Sequence, residues 1–297
     1  MSTTHRARRG RLVAAITLAA SALVAGVLMP GGGSAAASDT TSPPEDPATM
    51  SAVELQAFSD ANLDASMGSQ IREHEGIADM PMVIRPSDHG MQATVYGIDV
   101  SGHQGNVDWP YWWGQGKRFV WVKATEGTYY TNPYFTQQYN GSYNQGFIRG
   151  AYHFARPDTT SGATQANYFS DHGGGWSSDG KTLPGALDME YNPYGSTCYG
   201  LSPSQMTSWI LDFSNTYHAR WDKYPAIYTS TSWWSQCVNG DFSSTNPLWV
   251  ARYASSPGAL PCCWGFYTVW QYSSSPIDQN VFNGSYTQLQ AFATNPD

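Results

Sequence analysis

The chain is 297 residues long, carries 15 Lys and Arg against 23 Asp and Glu, and has a net charge of −8. Charged residues are only 13% and aromatics 14%, which excludes a basic nucleic-acid binder and allows one large core or two small ones. All 12 Trp, all 19 Tyr and all 4 Cys lie beyond residue 93, and Phe58 is the one aromatic before it. The first 93 residues therefore cannot share the aromatic core of the rest.

Residues 1–37 read as a secretory signal. Arg6, Arg8, Arg9 and Arg11 form a basic start, Leu12 to Met29 is apolar, and Ala35-Ala36-Ala37 offers a small-residue cleavage site before Ser38. The competing reading is an uncleaved anchor, since 18 apolar residues just span a bilayer. Arg8-Arg9 also leaves twin-arginine export open beside the general route. Residues 38–93 are rich in Ser, Thr, Pro, Ala and acids, with Arg72 and Arg85 as the basic side chains. This acidic, low-aromatic leader is expected to be poorly ordered, either a propeptide or a disordered linker, with a short amphipathic helix over Val53–Ile71.

From residue 94 on, short β-rich runs alternate with helical stretches. Strands are expected at Thr94–Asp99, Phe119–Ala124, Gly150–Ala155, Leu183–Glu190 and Pro225–Thr229. Helices are expected at Asn132–Gln145, Ser161–Asp171 and from Ser202-Pro203 to about Asp222. In the last, Ser caps, Pro takes the first turn, and Met206, Trp209, Ile210, Phe213 and Tyr217 form one apolar face. Beyond Thr229, strands at Leu248–Arg252, Phe266–Tyr272 and Pro276–Phe282 follow with little room for full helices. Alternation implies a parallel sheet, and eight strands in about 200 residues imply a small α/β barrel with its last helices lost.

Cysteine usage fits an oxidising compartment. Cys198–Cys237 is the preferred bridge, although four Cys allow three connectivities, and adjacent Cys262 and Cys263 have no evident role. The spacing does not suit zinc, and no metal is expected.

Active sites of such barrels sit at the carboxyl ends of the strands. Asp99, Asp188-Met189-Glu190 and Asp278 stand at such ends or beside them. Asp188 and Glu190, two apart on a strand, face the same side. Two acids in one mouth repel, so one keeps its proton to higher pH, as glycosidic cleavage requires. Glu190, with the longer reach, is the expected proton donor. Tyr111, Trp112, Trp113, Tyr129, Tyr130, Tyr191 and Tyr194 follow strand ends, and about half are expected to line a sugar-binding groove while the others pack.

Several motifs then occur in order: Gly97-Ile98-Asp99-Val100-Ser101 with Gln104-Gly105, Lys123-Ala124-Thr125-Glu126-Gly127, Gly150-Ala151-Tyr152-His153-Phe154, Leu187-Asp188-Met189-Glu190, Trp249-Val250-Ala251-Arg252-Tyr253, Trp270-Gln271-Tyr272 and Ile277-Asp278-Gln279-Asn280. Over about Val95–Phe292 the chain resembles glycoside hydrolase family 25, the Chalaropsis-type lysozymes, and secreted actinomycete muramidases in particular. The resemblance implies a modified TIM-like barrel with five β/α units followed by three strands. It implies hydrolysis of the β-1,4 bond between N-acetylmuramic acid and N-acetylglucosamine in bacterial peptidoglycan. Glu190 falls on the acid/base of that family, Asp188 on its Asp partner, Asp99 on the first-strand Asp and Asp278 on the late Asp. Tyr152, Arg252 and Gln271 match groove positions, and Tyr191 and Trp270 are further expected sugar contacts. Gly102-His103-Gln104 departs from the family's usual sequence there.

The expectation is thus a secreted, monomeric bacteriolytic enzyme acting on peptidoglycan without cofactor, nucleic-acid partner or stable membrane association. A non-catalytic sugar-binding module would explain the aromatics but not the gathered acids. A chitinase also carries Asp-x-Glu on a barrel strand, but its longer acidic run is absent, since Gly185-Ala186-Leu187 precede Asp188.

Overall fold

The computed structural model describes residues 64–75 and 94–297. The expected signal, residues 1–37, lies outside them, as do residues 53–63 of the helix expected over Val53–Ile71. Within 64–71 that expectation is not met. The chain runs through a turn at residues 67–70, and the helix, α1, spans Ile71–Glu75.

From residue 95 the fold is an α/β barrel. Its strands are β1 (Val95–Val100), β2 (Lys117–Glu126), β3 (Tyr130–Thr131), β4 (Ile148–Phe154), β5 (Ala186–Asp188), β6 (Ala226–Ser230), β7 (Leu248–Ala251), β8 (Val269–Ser273) and β9 (Gln279–Phe282). Hydrogen bonding runs β1-β9-β8-β7-β6-β5-β4-β2, and β1 pairs with β2 to close a ring of eight; β3 is a hairpin outside it. Neighbours are parallel except that β9 is antiparallel to both β1 and β8. The flanking helices are α2 (Trp109–Gly114), α3 (Phe135–Gln145), α4 (Gly162–Asp171), α5 (Pro203–Trp221), α6 (Thr231–Cys237) and α7 (Tyr286–Thr294).

Local chemistry sets the helix starts. The Ser202 hydroxyl accepts from the Gln205 N–H while the Gln205 side chain accepts from the Ser202 N–H, so two orphan donors of α5 are satisfied reciprocally. Its buried face is the expected one, Met206, Trp209, Ile210, Phe213 and Tyr217 among it. Helix α3 starts at Phe135, later than expected. Asn132 is taken up elsewhere: its side chain donates to the Lys123 carbonyl and the Gln138 side chain, and accepts from the Tyr134 N–H. Helices α6 and α7 correct the expectation of little helix after Thr229. Each begins at a serine, Ser230 or Ser285, whose hydroxyl accepts a first-turn N–H.

Side chains alternate across each strand, so each strand feeds two cores. Outward, Ile98, Val100, Val120 and Val122 pack with Val107, Trp109 and Phe147. Tyr111, Trp112 and Trp113 belong to this outer side. Trp113 packs edge-on to Phe147, and the Arg118 guanidinium lies 4.1 Å from the Trp113 ring. They do not line a groove. Inward, Phe119, Trp121, Trp249 and Tyr228 form a continuous run of packed rings, edge-on at Phe119–Trp121 and Tyr228–Trp249; the Trp121 and Trp249 centroids are 4.6 Å apart and those of Tyr228 and Trp249 5.2 Å. Gly97 and Gly150 make room for it, since a Cβ at Gly97 would sit 2.4 Å from the Phe119 ring and one at Gly150 2.6 Å from the Trp121 indole nitrogen. These rings are the floor on which the carboxyl-end mouth rests.

Cys198 and Cys237 are bridged, with Cα atoms 5.4 Å apart, and the bond ties the loop after β5 to α6. Cys262 and Cys263 are bridged to each other.

Candidate active site

The mouth collects four buried acids. Asp99 ends the inward row of β1 and accepts from the Gln271 amide (2.9 Å) and the Asn280 amide (2.7 Å). Asp188 ends β5. Glu190 lies two residues on, just beyond the strand, because the chain leaves the sheet after Asp188. Asp278 precedes β9 and shares a hydrogen bond with Asp99. Asp188 and Glu190 are fully inaccessible, and Asp99 and Asp278 nearly so.

Burial raises the proton affinity of all four. Asp99 is pushed up to about 7 by desolvation, against the pull of its Asn280 and Gln271 donors. Glu190 is pushed up to about 8 by desolvation, opposed by N–H donors from Gly68 and Gln70. Asp188 is raised well above the carboxylate range by desolvation and by the neighbouring Glu190 charge. Asp278 is raised likewise by desolvation and by Asp99. Like charges this close do not all ionise, so the mouth holds protons at neutral pH. Both Asp188 carboxylate oxygens and Glu190 Oε2 have no hydrogen-bond partner among the described residues.

Gln271 organises the centre. Its side-chain oxygen accepts from Tyr228 (2.7 Å) and Tyr253 (3.0 Å), while its nitrogen donates to Asp99. Tyr152 is fully buried, with Oη facing the Met67 N–H at 3.3 Å. On the β2 side, Lys123 Nζ lies 2.7 Å from Glu126, both fully buried. Burial alone would lower the Lys123 pKa, but the charges of Asp64 and Glu126 outweigh it and raise it. The Tyr129 hydroxyl donates to Glu126 (2.6 Å) and the Arg156 guanidinium lies over the Tyr194 ring. Tyr129, Tyr130, Tyr191 and Tyr194 therefore belong to the mouth, and the helix α2 aromatics do not.

Two expected groove residues lie elsewhere. The Arg252 guanidinium turns to the loop beyond β7 and donates to the Ser256 carbonyl (3.2 Å). Trp270 alternates with inward Gln271, so its indole points away from the acids and donates to the Arg252 carbonyl (2.8 Å). Sequence reasoning passed over Tyr228, Tyr253 and Asn280 as site residues. Counting in twos from inward Trp249 reaches Tyr253, not Arg252, and counting from Asp278 reaches Asn280. Tyr228 had no such flag.

The leader also reaches the mouth. The Gly68 N–H donates to Glu190 Oε1 at 2.6 Å, and the Asp64 carboxylate lies 2.5 Å from Lys123 Nζ. Among the described residues, no cluster of three or more His, Cys, Asp or Glu side chains is arranged to hold a metal ion, and no helix is long and apolar enough to cross a membrane.

Comparison with known proteins places this arrangement. The family described as "Glycosyl hydrolases family 25" matches residues 98–281. N,O-diacetylmuramidase of Chalaropsis sp is 49% identical over 210 residues, covering 68% of this chain and 100% of that protein. Lysozyme M1 of Streptomyces globisporus is 44% identical over 245 residues, covering 78% of this chain and 82% of its own. That share of this chain exceeds what residues 94–297 make up, so the similarity runs into the leader. The solved muramidase of Acremonium alcalophilum is 54% identical, with a TM-score of 0.66, over 67% of this chain and 99% of that one.

Proposed function

The chain belongs to glycosyl hydrolases family 25, and on that premise we propose that it is a secreted muramidase. It cleaves the β-1,4 bond between N-acetylmuramic acid and N-acetylglucosamine in bacterial peptidoglycan. Its barrel is read as a modified TIM-like one, five β/α units followed by three strands, with the chemistry at the carboxyl rim. The observation that carries the proposal is the pair Asp188 and Glu190, buried together with three carboxylate oxygens that no described residue satisfies. Buried polar atoms left without partners are costly in a finished structure and suit a ligand that supplies the missing donors.

Glu190 is the acid. With residues 64–75 seated in the mouth, burial holds it protonated near neutral pH; in the open site its proton passes to the glycosidic oxygen as the C–O bond breaks. Asp188 accepts the N–H of the substrate's acetamido group and turns the acetamido oxygen toward the anomeric carbon, which that oxygen attacks. The Asp99–Asp278 pair, fixed by Gln271 and Asn280, steadies the positive charge that develops on the ring. Water then opens the cyclic intermediate, Glu190 takes its proton, and configuration is retained.

Purified peptidoglycan is digested with the wild type and with Glu190→Gln, each freed of residues 38–93, and the products are read by mass and by proton NMR. Fragments with N-acetylmuramic acid at the new reducing end, first released as the β anomer, are expected from the wild type and not from the variant. Chitin cleavage in place of peptidoglycan would reassign the substrate. An α anomer would refute acetamido participation.

A further inference from the structure

We infer that residues Asp64–Glu75 are an autoinhibitory plug, a segment of the chain's own leader seated in the saccharide site so that the unprocessed enzyme is latent. This rests on the proposed muramidase site and adds a regulation to it.

The segment crosses the whole mouth and engages it by backbone as well as side chain. At one end the Asp64 carboxylate takes hydrogen bonds from Lys123 (2.5 Å) and Tyr130 (2.6 Å). The Ala65 N–H donates to Glu126 (2.8 Å). At the centre the Gly68 N–H donates to Glu190 Oε1 and the Gly68 carbonyl accepts from Tyr253 (3.2 Å). At the far end Arg72 donates to Ser274 (2.7 Å), and the His74 ring stacks parallel to Tyr191 at 4.2 Å. Met67 and Ile71 are almost completely buried. A surface tail lying loosely over a groove does not bury its apolar side chains while aiming the Ala65 and Gly68 N–H groups at buried carboxylates.

The contacts block the chemistry sterically: sugar rings cannot lie where the segment lies, and Glu190 Oε1 is already taken by the Gly68 N–H. Position 68 admits no side chain: its φ is +73°, and a Cβ there would sit 2.1 Å from the Tyr253 hydroxyl and 2.7 Å from that of Tyr228. Glycine is thus what lets the backbone approach the acid.

Being part of the same chain, the plug competes at an effective concentration of order 1 mM. A segment whose free peptide binds with a Kd of about 100 µM would therefore hold activity about tenfold down in the intact precursor. Removal of the leader ends that advantage.

The test uses the chain from Ser38 to Asp297, as wild type and as Gly68→Val, with Ile71→Asp as a second eviction. Turnover of solubilised peptidoglycan and hydrogen exchange of the Ala65, Met67 and Gly68 amides are measured together. The wild type is expected to protect these amides and to turn over at least tenfold more slowly than either variant. Added synthetic peptide Asp64–Glu75 is expected to inhibit the variants again. Exchange of those amides at the free-chain rate in the wild type, or equal and measurable turnover in all three chains, overturns the plug. Protected amides released by both variants, with all three inactive on peptidoglycan, overturn instead the muramidase reading on which the plug's role depends.

Discussion

Glu190→Gln is expected to stabilise the protein while abolishing its activity, and the gain has a defined pH dependence. Burial holds Glu190 up to about 8 against an ordinary 4.5. Between these values the folded chain keeps a proton that the unfolded chain has released, so stability falls as pH rises through the window. Integrated to pH 8, a shift of this size amounts to about 4 kcal/mol of destabilisation carried by the acid, and at pH 4 to almost nothing. Gln does not ionise and keeps an oxygen for the Gly68 N–H. The variant's melting temperature is therefore expected to exceed the wild type's by roughly 10 °C at pH 8 and to match it at pH 4. The assay is thermal unfolding by circular dichroism at both values. A variant that melts at or below the wild type at pH 8 would refute the idea that folding energy holds this acid protonated.

Two further outcomes follow from other contacts. Replacing Cys198 and Cys237 by Ala releases a loop closed across 39 positions, and the chain-entropy relation predicts a loss of about 4 kcal/mol; urea unfolding should give a lower midpoint with little change at the active site. Tyr253→Phe removes one of the two hydroxyls that hold Gln271 against Asp99, so kcat/KM is expected to fall about fivefold, the worth of about 1 kcal/mol. Arg252→Ala, whose guanidinium faces the Ser256 loop, is expected to leave it within about twofold. Both are to be measured in the Gly68→Val background, so that the leader does not mask the difference, and equal effects would contradict the assignment of facing.

The acids were legible because their signals are local. Apolar runs locate strands, strand ends locate a barrel mouth, and a spacing of two sets Asp188 and Glu190 on one side. Arg252 was expected in the groove from the resemblance and Trp270 as a further sugar contact, and strand parity turns both side chains away from the acids. Both are polar-tipped residues beside strand ends, yet their neighbours Tyr253 and Gln271 are the ones that face inward. Tyr228 serves the site from the run Pro225–Thr229, which read as ordinary core. The leader was opaque for a deeper reason. Composition reports whether a segment can build its own core, and residues 64–75 cannot; it does not report whether another part of the chain supplies one. Met67 and Ile71 are buried only because the barrel mouth receives them.

The packed rings of Phe119, Trp121, Trp249 and Tyr228 beneath the acids make the cylinder of described residues a cup rather than a tube. Whatever reaches the acids must come to them from the carboxyl rim, and whatever is released must leave by the same side.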